Sequence, residues 1–182
     1  MARNSLQQEH SMKDNEIKIK NAEFTSTAKV FHWSFVIIFA YGISKQIEDI
    51  NQLEDLALLK FEITFALLFI LFLVARFVYM KRTQKSSLPP DTSAVQKVVA
   101  KAVHYGMYVG MISIALSGLL IGCLYWFSLK SGIIIETIIG WHELSVSIVY
   151  WLVGLHLMGA IFHRFKNDGV WDSMVPFLKS KK

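Results

Sequence analysis

Histidine is the residue type whose placement in this chain carries chemistry. The sequence holds 6 histidines. His32, His104, His142, His156 and His163 fall in or beside stretches that are otherwise apolar. An ionisable side chain in such surroundings is expensive and is a functional candidate by default. Imidazole is also a frequent metal ligand and an axial ligand of haem iron. His142 and His156, at about 100° per residue, fall within roughly 40° of one another on a helix, with a rise of about 21 Å between them. One helix face thus offers an imidazole near each side of a membrane. His163 follows near the same face. His10 lies in a polar segment and reads as a solvated residue.

His32 lies about one turn into the first apolar stretch, and His156 about two turns before the end of the last. On antiparallel helices these two stand at similar depth, where they could clamp one planar macrocycle from opposite sides. An interhelical hydrogen bond and a proton relay stay open as other uses. Zinc is a poorer match, because it prefers four ligands, commonly with cysteine or carboxylate among them. No acidic residue is expected at that depth. The single cysteine, Cys123, excludes an internal disulfide, a Cys-x-x-Cys site and covalent haem attachment through Cys-x-x-Cys-His. It reads as a small buried hydrophobe.

The elements that must hold these residues follow from composition. Of 182 residues 53% are hydrophobic and 18% charged, and the mean hydropathy is +0.40. Average proteins are about a quarter charged, and a soluble core of this size could not hide so many apolar side chains. Disorder, a collagen-like chain and a disulfide scaffold are excluded, and a water-soluble enzyme is disfavoured. Residues 30–44 carry no Lys, Arg, Asp or Glu. Residues 56–80 are apolar apart from Lys60, Glu62 and Arg76. Residues 102–129 and 144–163 are uncharged, with His104 and His156 inside them. A spanning helix needs about 20 mainly apolar residues, and barrel strands would alternate instead. The expectation is an all-α, four-helix transmembrane bundle with spans at about 29–46, 56–80, 100–128 and 143–163.

Charge sets the orientation. Basic residues gather in the N-terminal tail (Arg3, Lys13, Lys18, Lys20, Lys29), in the middle linker (Lys81, Arg82, Lys85, Lys97, Lys101) and in the C-terminal tail (Arg164, Lys166, Lys179, Lys181, Lys182). Both termini are therefore expected in the cytoplasm. Residues 1–28 form a polar tail without a signal-peptide core, residues 29–177 the membrane domain and residues 178–182 a basic end. Leu88, Pro89, Pro90 and Asp91 mark the linker as extended. The net charge of +5 is explained by topology rather than by nucleic acid. The outer loops are acidic, with Glu48, Asp49, Glu54 and Asp55 in the first and Glu136 and Glu143 in the second. Gly106 and Gly110, then Gly118 and Gly122, repeat a small-residue spacing that lets helices approach closely or leaves room for a flat ligand.

The order and spacing of His32-Trp33, His104 with Tyr108, Trp141-His142-Glu143, Gly154-Leu155-His156, His163 and the tail with Trp171, Met174 and Pro176 resemble the bacterial cytochrome b561 family. That family is related to the cytochrome b subunits of formate dehydrogenases and nickel-iron hydrogenases. The resemblance implies a four-helix bundle in the bacterial inner membrane that holds two non-covalent b-type haems, each on two histidines. Carried onto this chain, His32 and His156 would ligate the cytoplasmic-side haem and His142 would serve the outer one. Arg76 resembles a family arginine; it could pair with haem propionates or snorkel to lipid headgroups. The expected partner of His142 is missing, and Glu62 stands at its position. Three arrangements stay open: an empty outer site with Glu62 hydrogen-bonded to His142, a haem on His142 alone, or ligation by Glu62.

The resulting function is a membrane b-type cytochrome that relays single electrons to or from a quinone or a redox partner. A haem-bearing anchor subunit of a larger oxidoreductase, and a haem-free transporter with histidine relays, are the alternatives. Some relatives oxidise superoxide, but acidic outer loops suit an anion poorly and fit a cationic redox protein better.

Overall fold

The structure, a computed structural model, describes residues 24–83, 88–89 and 92–175. Most of the expected N-terminal tail, the linker residues Lys85, Pro90 and Asp91, and Pro176 with the terminal lysines lie outside the described residues.

Continuous apolar sequence folds here into 4 helices long and apolar enough to cross a membrane: α1 (Ser26–Ser44), α2 (Leu56–Thr83), α3 (Ala94–Trp126) and α4 (Ile133–Lys166). A short 3₁₀ helix (Ile50–Glu54) bridges α1 and α2, and a one-turn helix α5 (Val170–Met174) follows α4. No strand occurs among the described residues. The helix starts have local causes. The Thr25 side chain accepts from the Ala28 N–H at 3.2 Å. Ser93 and Gln96 form a capping box at α3, which satisfies amide groups that would otherwise have no partner. α4 ends at Asn167, held at φ 56°, the left-handed position that closes a helix.

α3 and α4 are longer than the sequence-based spans. At about 1.5 Å per residue, the 34 residues of α4 exceed the roughly 30 Å hydrocarbon core. Polar flanks are as helical as the apolar middle, so Glu136 and Glu143, read as loop residues, lie on α4 instead. His142 likewise sits inside the helix rather than opening it.

α3 is the central helix and packs on both α4 and α2. Within its apolar span 28% of the residues are buried, against 11% in each of the other three helices. Large apolar side chains such as Ile37, Leu71, Val109 and Trp151 point outward, the arrangement expected where lipid is the solvent. Cys123 is a correction: it is exposed, because an apolar residue in a span can face lipid instead of a core. The enclosed interior centres on Phe35, Phe69, Leu73, Met111, Ala115 and Val149. A second cluster, with Leu53, Leu59, Ile121, Tyr125 and Ile135, ties the 3₁₀ helix to α2, α3 and α4. Two glycines set the helix spacing. A Cβ on Gly110 would stand 2.5 Å from Val149 Cγ2, and one on Gly122 would stand 2.7 Å from Ile63 Cγ1.

Candidate functional site

α1, α2, α3 and α4 each contribute one basic side chain to a cluster near the end where α1 begins and α4 finishes. His32 comes from α1, Arg76 from α2, His104 from α3 and His156 from α4. Arg76 Nη2 lies 2.9 Å from His32 Nδ1. The guanidinium also sits over Phe35, 5.1 Å from the ring centroid, and over Tyr108 at 5.4 Å. Its Nε is buried and has no hydrogen-bond partner. The His32 and His156 rings are 6.3 Å apart between centroids, and His104 and His156 are 4.9 Å apart, edge to face. His104 Nδ1 donates to the Ala100 carbonyl at 2.6 Å.

The distances separate the three imidazoles. An imidazole nitrogen sits about 2 Å from a first-row metal such as zinc, so two rings on opposite sides of one ion have centroids roughly 6 Å apart. His32 and His156 meet that separation and His104 with His156 falls short of it. Among the described residues no group of 3 or more His, Cys, Asp or Glu is placed to hold a bare metal ion. Two imidazoles among aromatic rings, beside a half-buried guanidinium whose Nε has no partner, fit a b-type haem. The iron needs two axial nitrogens and the macrocycle carries carboxylates for which a guanidinium is a natural partner.

His142 lies toward the other end, separate from this cluster. Its Nδ1 is 2.9 Å from Ser117 Oγ. The Ser117 hydroxyl donates to the Ser113 carbonyl at 2.7 Å. Trp141 Nε1 donates to Ser113 Oγ at 2.8 Å, which contacts Ser145 Oγ at 2.9 Å. Glu62 and His142 line one cavity of about 400 Å³ between the helices. The ring's hydrogen bond goes to Ser117 rather than to Glu62, so the Glu62–His142 bond of the first sequence-based alternative is not formed. Ser113, Ser117 and Ser145 were missed in the sequence. Their signal was there: hydroxyls inside an apolar span need partners, and serines are common between membrane helices.

His163 belongs to neither group. Its Nδ1 pairs with Asp168 Oδ2 at 2.7 Å, with Lys166 Nζ at 3.6 Å from the same oxygen. Burial opposes ionisation of Asp168. The His163 hydrogen bond, the Val170 N–H and the neighbouring charges outweigh it and hold the carboxyl below the usual aspartate range. Arg164 lies over Trp171 at 4.9 Å. Trp33 Nε1 donates to the Met174 carbonyl at 3.2 Å, which lays the C-terminal segment beside His32.

Comparison with curated proteins and with solved structures gave no match. The sequence does match a family described as prokaryotic cytochrome b561, over residues 23–177. That stretch takes in all four long helices and every histidine of both sites. On that match the chain belongs to the prokaryotic cytochrome b561 family, whose members are membrane proteins of b-type haem electron transfer.

Proposed function

We propose that this protein is an electron relay of the bacterial inner membrane, with its termini in the cytoplasm, and that His32 and His156 are the axial ligands of its haem. The observation that carries the reading is the 6.3 Å separation of these two rings. When bound, a haem with two histidine ligands passes single electrons and has no open position for oxygen. The protein's part is placement. α1 and α4 each present one imidazole, Phe35 and Tyr108 flank the guanidinium, and Arg76 supplies a cation. The donor or acceptor is a membrane quinone or a redox protein docked on the acidic outer face.

A reduced-minus-oxidised spectrum of the full chain in detergent, with haem counted per polypeptide, tests this. The expected result is a low-spin b-type spectrum that is lost in His32→Ala and in His156→Ala and kept in His142→Ala. Well-folded protein without Soret absorption would sink the reading.

A further inference from the structure

A groove runs along the lateral surface of the bundle between α1 and α2, at the end where α1 begins. Phe31 of α1 and Leu71, Val74, Ala75 and Val78 of α2 form its apolar part, and Tyr79, Arg82 and Thr83 form its polar end. Leu71, Val74 and Val78 are exposed, so in a bilayer the groove opens to hydrocarbon. Its volume is about 490 Å³. We propose that this groove holds an anionic phospholipid, with one acyl chain along the α1–α2 seam and the phosphate on Arg82. Nothing in this proposal depends on the haem reading.

The floor of the groove is built from rings. Phe31 stacks on Tyr79 with centroids 5.2 Å apart and lies 5.7 Å from Phe72. Hydroxyls close the end. Tyr79 Oη is 3.2 Å from Thr25 Oγ1, and the Thr83 hydroxyl donates to the Tyr79 carbonyl at 2.7 Å. From Leu71 to Arg82 the helix rises about 16 Å. That is close to the hydrocarbon depth of one leaflet, half of roughly 30 Å. An acyl chain that fills the apolar part therefore brings its phosphate to the level of Arg82.

Charge selects the headgroup. Lys81 and Arg82 both stand in the last turn of α2, but they face different neighbours. Lys81 Nζ lies over Phe77 at 5.8 Å, and Phe77 packs on Tyr108 of α3. Arg82 is exposed in the groove, and among the described residues no acidic side chain pairs with it. A guanidinium offers two parallel N–H donors to a phosphate, and basic pockets between membrane helices bind anionic headgroups. A zwitterionic lipid carries its own cation and gains less from Arg82. The bound lipid would also bridge α1 and α2. α1 is the shortest and least apolar of the four long helices, so it gains most from added apolar contact.

The full chain in detergent is titrated with phosphatidylglycerol and, separately, with phosphatidylcholine of the same acyl chains. Native mass spectrometry counts the bound lipid. The wild type should favour phosphatidylglycerol about fivefold, the factor expected of one basic residue at an anionic membrane surface. The same lipid should raise the thermal unfolding temperature. Arg82→Gln should lose both the preference and the added stability. Ala75→Phe fills the groove from an exposed position and should weaken binding of both lipids. Lys101→Gln, on α3 at the same end of the bundle, should change neither. Equal binding of the two lipids, an unfolding temperature that phosphatidylglycerol leaves unmoved, or a preference that survives Arg82→Gln overturns the proposal. So does full binding in Ala75→Phe, or an equal loss in Lys101→Gln, which would mark the effect as general surface charge.

Discussion

Arg76 Nη2 stands 2.9 Å from His32 Nδ1, and a guanidinium can only donate. His32 therefore accepts at Nδ1, and in the neutral ring its proton is on Nε2. A neutral imidazole that binds iron through Nε2 carries its proton on Nδ1 instead. If His32 were to hold a haem through Nε2, Arg76 would have to leave Nδ1, and its guanidinium, whose Nε lacks a partner, would be the group placed to pair with the haem carboxylates. A cation beside the haem disfavours the more positive oxidised form and raises the midpoint potential. At an effective dielectric of about 20, a charge roughly 10 Å away is worth about 1.7 kcal/mol, or roughly 70 mV for one electron. Arg76→Gln should lower the potential by that order and Arg76→Lys by much less, as measured by redox titration. A rise in Arg76→Gln would mean that Arg76 stays on His32 and gives it imidazolate character.

The Gly110–Val149 contact makes a stability prediction independent of haem. Val149 is fully buried and β-branched, so it has little freedom to move from a Cβ placed 2.5 Å away. Gly110→Ala should cost about 1–3 kcal/mol, the usual range for overpacking. Thermal unfolding in detergent measures it. Combining it with Val149→Ala should give a loss smaller than the sum of the two single losses. Strict additivity would show that α3 and α4 are not held at this point.

The four helices were legible because a bilayer demands continuous apolar runs, and this sequence has four of them. That the His32 and His156 rings lie close together was legible for a related reason: depth along antiparallel helices follows from counting residues. Four features were not. α4 begins at Ile133 because its polar flank is helical outside the apolar window, and hydropathy carries no signal for that. Cys123 faces outward because lipid removes the link between apolar and buried. The contact of His32 with Arg76, and that of His142 with Ser117, depend on how the helices are rotated about their axes, which counting along one helix does not determine.

The C-terminal clasp should respond to acid. Asp168 is held below the usual aspartate range once its hydrogen bonds and charged neighbours overcome burial. A carboxyl lowered in the folded state contributes stability that is fully present above its unfolded value, about 4, and is lost as pH falls through the lower folded value. Below about pH 4 the segment carrying α5 should therefore loosen, seen as a change in Trp171 fluorescence. Asp168→Asn should loosen it at neutral pH and remove the acid step. An acid step that survives in Asp168→Asn would point to a different group.

Ser117 is predicted to act through His142 rather than on a ligand. Its hydroxyl accepts the Nδ1 proton of His142 at 2.9 Å while donating to the α3 backbone. Ser117→Ala removes the acceptor, and the ring is then free to change tautomer or rotate. Nitrogen NMR of the haem-free protein gives the readout: the His142 ring should be protonated at Nδ1 in the wild type and mixed in Ser117→Ala. Ser117→Thr keeps the hydroxyl and should restore the wild-type ring signals. Equal ring signals in the wild type and Ser117→Ala would remove Ser117 from this role.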